Sequence, residues 1–250
     1  MSVPIALQVE RLCKIFGRTM AVDHVSCEVR RGELLGVIGP NGSGKTTLVN
    51  LISGFVKPTS GCILYDGRDI TGAAPHKIIR LGISRTFQMV RPFYQLPAYK
   101  NMIIPLYSPR VRQLAGGRYG DRNAVALDLL EEVGFERDAH VAYKPAGTLP
   151  QGYLKRLELA KAIALSPDLL ILDELFSGMS LAEVASVVPV IEKLRIAGKT
   201  IVMIEHRLKE LFRIADRIMV LNYGRKIAEG TAAEVMESPE VKKAYLGSEE

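Results

Sequence analysis

The chain has 250 residues, with 48% hydrophobic and 24% charged residues, which is ordinary for a globular protein with a substantial core. No apolar run approaches the roughly 18 residues of a membrane span, and the start of the chain lacks the basic and apolar regions of a secretory leader. Its three cysteines form no C-x-x-C pair, which argues against a metal or disulfide framework, and the net charge of +6 comes from scattered Lys and Arg, which does not favour nucleic-acid binding.

Apolar runs bounded by turn residues predict strands along most of the chain. They cover residues 5–9, 22–29, 34–38, 62–65, 83–87, 169–172, 200–204, 218–221 and 226–228. Helical periodicity appears at 47–52, 123–133, 155–165, 181–195 and 208–214. Strands that alternate with helices predict an α/β fold with a parallel sheet, and the closely spaced strands before residue 66 predict an antiparallel layer. The region from about 89 to 164 has no convincing strand, so we expect one domain with a core of 1–88 and 165–250 and an inserted helical subdomain.

Residues 39–46 match the phosphate-binding pattern G-x-x-x-x-G-K-[ST] completely. The match lies between a predicted strand and a predicted helix, where backbone N–H groups and the helix dipole attract phosphate. Lys45 is expected on the β- and γ-phosphates, and the Thr46 hydroxyl on Mg²⁺. The loop predicts a nucleoside triphosphate site. Its candidate binding residues are Asn41, Gly42, Ser43, Gly44, Lys45, Thr46 and Thr47.

The apolar strand at 169–172 ends in two acidic residues, Asp173 and Glu174. A buried parallel strand places its last residues at the carboxyl edge of the sheet, beside the phosphate loop. Asp173 is therefore a candidate Mg²⁺ ligand, directly or through water, and Glu174 a candidate for orienting or deprotonating the attacking water. A solvated acidic turn is the structural alternative.

Three single residues gain weight from their positions relative to these motifs. Gln88 follows the strand at 83–87 and is a candidate for Mg²⁺ or the attacking water, and His206 follows the strand at 200–204 and is a candidate near the γ-phosphate. Phe16, before Gly17 in a turn, is a candidate for stacking on adenine, with a core Phe as the alternative. A GTPase is disfavoured, because the D-x-x-G at 69–72 has no Asn-Lys-x-Asp guanine reader to accompany it.

The order of these motifs over essentially the whole chain resembles the ATP-binding cassette (ABC) transporter ATPases. The segments 82–88, 156–162, 204–206 and 244–247 look like the branched-chain (hydrophobic) amino-acid uptake subfamily. The resemblance implies an ATP-hydrolysing subunit of an importer that uses ATP and Mg²⁺, with catalytic roles for Gln88, Glu174 and His206. It also implies a second ATPase subunit, two membrane permease subunits in contact with residues 89–108, an indirect link to a solute-binding protein, no nucleic acid, and a peripheral position on the cytoplasmic face of the membrane.

In such ATPases a signature segment of one subunit faces the ATP of the other. Here that segment is Leu149, Pro150, Gln151, Gly152 and Tyr153, against the usual Leu-Ser-Gly-Gly-Gln. Pro150 has neither a hydroxyl nor a backbone N–H, so potential phosphate contacts are missing. Other departures are Leu175, Ser180 and Arg207. They favour a heterodimer, and they leave open a regulatory subunit with weak hydrolysis. A non-transport ABC ATPase is a further alternative.

Overall fold

The protein is described from a computed structural model, which covers residues 3–115, 120–136 and 140–246. The strands are β1 (Ile5–Phe16), β2 (Thr19–Arg30), β3 (Leu34–Ile38), β4 (Ser60–Tyr65), β5 (Arg68–Asp69), β6 (Ile83–Arg85), β7 (Leu169–Asp173), β8 (Thr200–Ile204), β9 (Arg217–Asn222) and β10 (Arg225–Gly230). The helices are α1 (Lys45–Ile52), α2 (Pro75–Leu81), α3 (Ile103–Leu106), α4 (Pro109–Leu114), α5 (Arg122–Glu132), α6 (Gln151–Ala164), α7 (Leu181–Ile196), α8 (Leu208–Ile214), α9 (Ala232–Glu237) and α10 (Pro239–Leu246).

Two sheets form the framework, as the sequence predicts. The first is antiparallel and four-stranded, in the order β2-β1-β4-β5. The second is six-stranded, in the order β10-β9-β3-β8-β7-β6, and all its pairs are parallel except the antiparallel pair of β10 with β9. The α/β fold class with an antiparallel amino-terminal layer is therefore confirmed, with a mixed second sheet rather than a purely parallel one.

The register of the central strands decides where the site forms. Residues of β3, β7 and β8 are buried throughout. Ile204 lies opposite both Asp173 on β7 and Val37 on β3, so the three strands end level with one another. The loops that follow them therefore leave the sheet at the same edge, which in parallel sheets is where ligands bind.

Two apolar clusters flank this sheet. One lies between the sheets and includes Leu7, Val37, Leu48 and Ile171. The other packs helices against the opposite face and reaches from Leu172 to Phe135. Both faces are thus covered, which explains why the central strands read as continuous apolar runs rather than as alternating ones.

Several boundaries differ from the sequence-based expectation. β1 and β2 are longer than predicted, since they form a hairpin whose polar outer positions hide the strand signal. β6 ends at Arg85, two residues before the predicted end. The short helices α2, α9 and α10 were not predicted, although Pro75 and Pro239 at their first turns and the capping box of Thr231 with Glu234 are start signals.

Between residues 89 and 164 the described part consists of helices, turns and one isolated bridge between Pro97 and Pro145. Among the described residues, none of the helices combines the length and the apolar character needed to cross a membrane.

Candidate nucleotide-binding and catalytic site

The phosphate loop joins β3 to α1 and has the curled backbone that its glycines predict. Gly39 and Gly44 have φ angles of 151° and 102°. A Cβ atom would lie 2.1 Å from the carbonyl oxygen of Leu221 at Gly39 and 2.4 Å from that of Ala21 at Gly44. Because neither position has room for a side chain, the loop can hold this shape only with glycine there.

Lys45 is the first residue of α1, and its side chain is buried inside the loop. Its Nζ donates to the carbonyl oxygens of Gly39 (2.7 Å) and Pro40 (2.9 Å). Burial lowers the pKa of Lys45, while the nearby carboxylates of Glu174 and Asp173 act in the opposite direction. The ammonium group is thus held at the centre of the loop by weak acceptors that anionic phosphate oxygens can replace.

Asp173 ends β7 and is almost completely buried, with 1% of its surface exposed. Its Oδ2 accepts a hydrogen bond from Arg85 Nη2 at 2.8 Å, whereas its buried Oδ1 has no partner among the described residues. Burial raises the pKa of Asp173, and the charge of Arg85 opposes that shift. An unpaired, buried carboxylate oxygen at this edge is a group that a hard cation would satisfy.

Glu174 is the meeting point of the predicted catalytic residues. Its Oε2 accepts from Gln88 Nε2 at 2.6 Å, and its Oε1 lies 2.9 Å from His206 Nε2. Gln88 follows β6, Glu174 follows β7 and His206 follows β8, so three strand ends supply one cluster. Glu174 also has a φ angle of 50°, a left-handed backbone that is uncommon for a residue other than glycine and is often found at functional sites.

The three predicted metal ligands also share one surface. Thr46, Gln88 and Asp173 line a groove of about 910 Å³ that runs between the core and the region after residue 89. All three offer oxygen atoms, which are the ligands Mg²⁺ prefers. Together with the unpaired Oδ1 of Asp173, this donor set fits a magnesium ion.

Phe16 ends β1 before a turn at Gly17, and 47% of its surface is exposed. Lys14 Nζ lies 4.9 Å from the centre of its ring. The alternative that Phe16 belongs to the core is therefore wrong, and its ring remains accessible for stacking.

The signature-like segment at 149–153 lies at the start of α6 and is far from the phosphate loop in the sequence. Pro150 is the residue before the first turn and provides no side-chain cap. Gly152 leaves room for the carboxylate of Glu183, whose Oε1 would lie 1.8 Å from a Cβ atom at that position, so a larger residue there would have to displace the Glu183 side chain. Leu149 is buried and Gln151 is exposed. Tyr153 is half-buried, with its ring 5.1 Å from that of Phe135, so it packs within its own chain.

Two of the unusual residues have structural uses of their own. Ser180 caps α7, since its Oγ accepts from the backbone N–H of Glu183 and its own N–H donates to the Glu183 carboxylate. Arg207 Nη2 donates to the carbonyl oxygen of Met179 in the loop before that helix. Gly247, in the tail that carried part of the resemblance, lies outside the described residues.

Sequence reasoning missed two buried cations. Arg85 donates through Nη1 to Asn50 Oδ1 and Ser53 Oγ, both at 2.8 Å, in addition to Asp173. Lys155, 2% exposed, donates to the carbonyl oxygens of Gln88 and Glu174. Arg85 lies within the segment 82–88 and Lys155 directly precedes the segment 156–162, two of the segments that resemble the uptake subfamily. Their burial could not be recognised, because a single Lys or Arg in a helix or strand is usually exposed.

Comparison with known proteins agrees with this geometry. The sequence profile of the family described as "ABC transporter" matches residues 22–177. The chain belongs to this ABC transporter family. A second profile, described as "Branched-chain amino acid ATP-binding cassette transporter", matches residues 225–250.

Relatives match over nearly the full length of this ABC cassette. The high-affinity branched-chain amino acid transport ATP-binding protein BraF of Pseudomonas aeruginosa is 38% identical, with 99% of each chain covered. LivG of Escherichia coli, described in the same words, is 35% identical, also with 99% of each chain covered. The crystal structure of a nucleotide-free ATP-binding cassette from an ABC transporter has a TM-score of 0.86 at 30% identity, with 98% of this chain and 100% of that chain covered. The predicted fold and family are confirmed, and the chain is an ATP-binding, ATP-hydrolysing subunit of a transporter.

Proposed function

We propose that this chain drives an importer for branched-chain amino acids or a related small solute by hydrolysing ATP at the cluster around Glu174. The observation that carries the proposal is the pair of contacts that Gln88 and His206 make to the Glu174 carboxylate, at 2.6 and 2.9 Å. The choice of solute rests on the names of the relatives BraF and LivG and on the carboxyl-terminal profile match.

In this proposal the loop residues hold the triphosphate. The backbone of residues 41–47 and the ammonium group of Lys45 bind the β- and γ-phosphates. Thr46, Asp173 and Gln88 hold Mg²⁺, since they line one groove and Asp173 Oδ1 lacks a partner among the described residues. When bound, Mg²⁺ neutralises charge that develops on the phosphate oxygens.

The carboxylate of Glu174 acts as the general base. It receives the proton of the attacking water while Gln88 and His206 fix its orientation. His206 contacts Glu174 through Nε2 and has 47% of its side-chain surface exposed, which leaves part of its ring accessible, and in this proposal it also contacts the γ-phosphate. Phe16 stacks on the adenine ring from the exposed end of the β1–β2 hairpin.

The groove and residues 89–108 form the proposed docking surface for a permease subunit. Phe87, Met89, Phe93 and Tyr107 are between 39% and 68% exposed, a concentration of accessible apolar side chains that is typical of a protein interface. Docking there places the chain on the inner face of the membrane. It also joins the permease to Gln88, which lines the same groove. The division into a core and a helical subdomain at 89–164 is part of this proposal.

The second ATPase subunit is proposed to be a different chain. Pro150 leaves this chain's own signature segment without a hydroxyl or N–H at that position, whereas its phosphate loop and Glu174 are intact. The same observation supports a second candidate function, a regulatory subunit that binds ATP but hydrolyses it slowly. Solute reaches the transporter through a binding protein that this chain does not contact.

The proposal is tested with the chain reconstituted with its permeases, companion ATPase and binding protein in vesicles. We expect ATP-dependent uptake of leucine, isoleucine or valine that is lost with Lys45→Ala. ATP hydrolysis with uptake of none of these would overturn the solute class. Normal uptake with an inactivated version of this chain would support the regulatory alternative.

A further inference from the structure

Lys155 is the one lysine outside the phosphate loop that is buried among the described residues, with 2% of its surface exposed. It lies in the second turn of α6, immediately after the signature-like segment at 149–153. Its Nζ donates to the carbonyl oxygen of Gln88 at 2.8 Å and to that of Glu174 at 2.9 Å. An ammonium group is costly to bury unless it makes hydrogen bonds. The two bonds to the carbonyl oxygens of Gln88 and Glu174 therefore offset the cost of burying Lys155.

The two carbonyls belong to the two residues whose side chains are already joined by the 2.6 Å bond from Gln88 Nε2 to Glu174 Oε2. Lys155 joins the backbones of the same two residues. Gln88 and Glu174 are therefore connected twice, through their side chains and through the Lys155 ammonium group. Glu174 needs this support, since its left-handed φ of 50° is a conformation that persists only when its surroundings hold it.

We propose that Lys155 is a positioning residue for ATP hydrolysis, which sets the place of Glu174 and Gln88 and links both to the start of α6. The contacts give the physical reason. One ammonium group connects three segments, the residues after β6, the residues after β7 and the signature helix, so a shift of α6 changes the position of the base. The proposal rests on the assignment of Glu174 as the general base.

The chain offers a matched control in the next residue. Arg156, on the same helix, donates through Nη1 to the carbonyl oxygen of Gly134 at 2.7 Å and through Nη2 to Ser186 Oγ at 2.8 Å. Arg156→Met therefore removes a cationic anchor of α6 to a backbone carbonyl, as Lys155→Met does, but on the side of α5 and α7.

The first experiment measures single-turnover ATP hydrolysis with the full chain in excess, together with ATP affinity. Lys155→Met should lower the hydrolysis rate by about 10²-fold, the scale expected for misplacing a catalytic group by about 1 Å. ATP affinity should change by less than about threefold, because Lys45 and the loop are untouched. Lys155→Arg should recover most of the rate, and Arg156→Met should stay within about threefold of the wild-type chain.

A double variant identifies the route of the effect. If Lys155 acts through Glu174, Lys155→Met should cause no further loss in a Glu174→Gln background. Full additivity would overturn the proposal even if each single variant is slow. Active Glu174→Gln would instead overturn the assignment of the base, so the two failures are distinct.

The second experiment does not depend on turnover. Amide hydrogen exchange should become faster in peptides that cover residues 85–92 and 172–180 with Lys155→Met, and should not change there with Arg156→Met. If Lys155→Met does not fold, Lys155→Gln is used, since it keeps a donor but shortens the reach. Unchanged exchange in both peptides, or a wild-type hydrolysis rate in folded Lys155→Met or Lys155→Gln, would refute the positioning role.

Discussion

Arg85 Nη2 lies 2.8 Å from Asp173 Oδ2, and the other oxygen of the same buried carboxylate has no partner among the described residues. The side chains are 7% and 1% exposed, so this is a buried ion pair. Arg85 also faces the rings of Phe55 and Phe87, with Cζ 5.5 and 4.7 Å from their centres. The pair therefore connects the proposed Mg²⁺ ligand to aromatic residues that line the groove.

Arg85→Met should destabilise the fold by about 3–5 kcal/mol, because it leaves the Asp173 charge buried without a partner. The double variant Arg85→Met/Asp173→Asn should lose less than the sum of the two single variants. Urea unfolding without nucleotide measures these differences. As a control, Arg195→Met breaks an exposed pair with Asp216 and should cost less than about 1 kcal/mol. Equal losses of unfolding free energy in Arg85→Met and Arg195→Met would show that burial does not increase the cost of breaking the Arg85–Asp173 pair.

The grouping of the candidate site residues at one edge of the sheet could be largely predicted from the sequence, because these residues follow directly on apolar strands. Asp173, Glu174 and His206 each lie within two residues of a buried strand end, and parallel strands bring such ends to one edge. Arg85 and Lys155 could not be predicted, since their burial depends on contacts between segments that are far apart in sequence. The short helices near the carboxyl terminus were missed for a different reason, because Val235 in α9 and Val241 in α10 are single buried apolar residues among the described ones, and one such residue makes no apolar stripe.

Glu174→Gln should reduce ATP turnover by about 10²-fold or more and leave ATP affinity nearly unchanged. The fold should be retained, because the amide oxygen can accept from Gln88 while the amide nitrogen donates to His206 in its Nδ1–H tautomer. Steady-state hydrolysis and nucleotide titration check both parts. Turnover within twofold of the wild-type rate would rule out Glu174 as the base.

Phe16→Ala should weaken ATP binding by about 0.5–1.5 kcal/mol through the loss of aromatic stacking. The preference for ATP over GTP should change little, since an aromatic ring stacks on adenine and on guanine alike. Thermal stability should also change little because 47% of the Phe16 surface is exposed. Fluorescent nucleotide titration measures the affinity, with Tyr223→Ala, 86% exposed, as a control for loss of a surface aromatic residue. Unchanged affinity for both nucleotides would remove Phe16 from the site.

The buried carboxyl group of Glu205 should make the stability of the fold depend on pH. Burial raises the pKa of Glu205 from 4.5 to about 8, although the hydrogen bond from the Phe176 N–H and the charge of Lys155 act in the opposite direction. Below about pH 4.5 the carboxyl is protonated in both the folded and the unfolded chain. Between that pH and about 8, only the unfolded chain loses the proton, so this group makes stability fall as pH rises.

Glu205→Gln should therefore change stability little near pH 5 and increase it progressively up to about pH 8, by at most about 1.4 kcal/mol per pH unit. The amide oxygen can still accept the 2.8 Å bond from Phe176 N–H. Urea unfolding at a series of pH values measures the difference between variant and wild type. A difference that stays constant with pH would mean that Glu205 has an ordinary pKa in the folded chain.

Pro150 is the residue at which pairing of this chain with itself can be tested. It occupies the position before the first turn of α6, with an extended backbone (φ −56°, ψ 154°) that a serine can also adopt. Pro150→Ser adds a helix cap and supplies both a hydroxyl and an N–H toward the ATP of an opposite subunit. One hydrogen bond to a charged group contributes about 1.5–3 kcal/mol, so a self-paired Pro150→Ser chain should hydrolyse ATP about 10- to 100-fold faster than the wild type.

The wild-type chain should show slow hydrolysis that rises little with concentration and should be strongly activated by its companion ATPase. Hydrolysis is measured against protein concentration for both chains, alone and in the assembled transporter. Pro150→Ala is the control, because it restores the N–H without the hydroxyl. A steep concentration dependence for the wild-type chain, with a rate equal to that of the full transporter, would show that Pro150 is tolerated and that the heterodimer proposal is wrong.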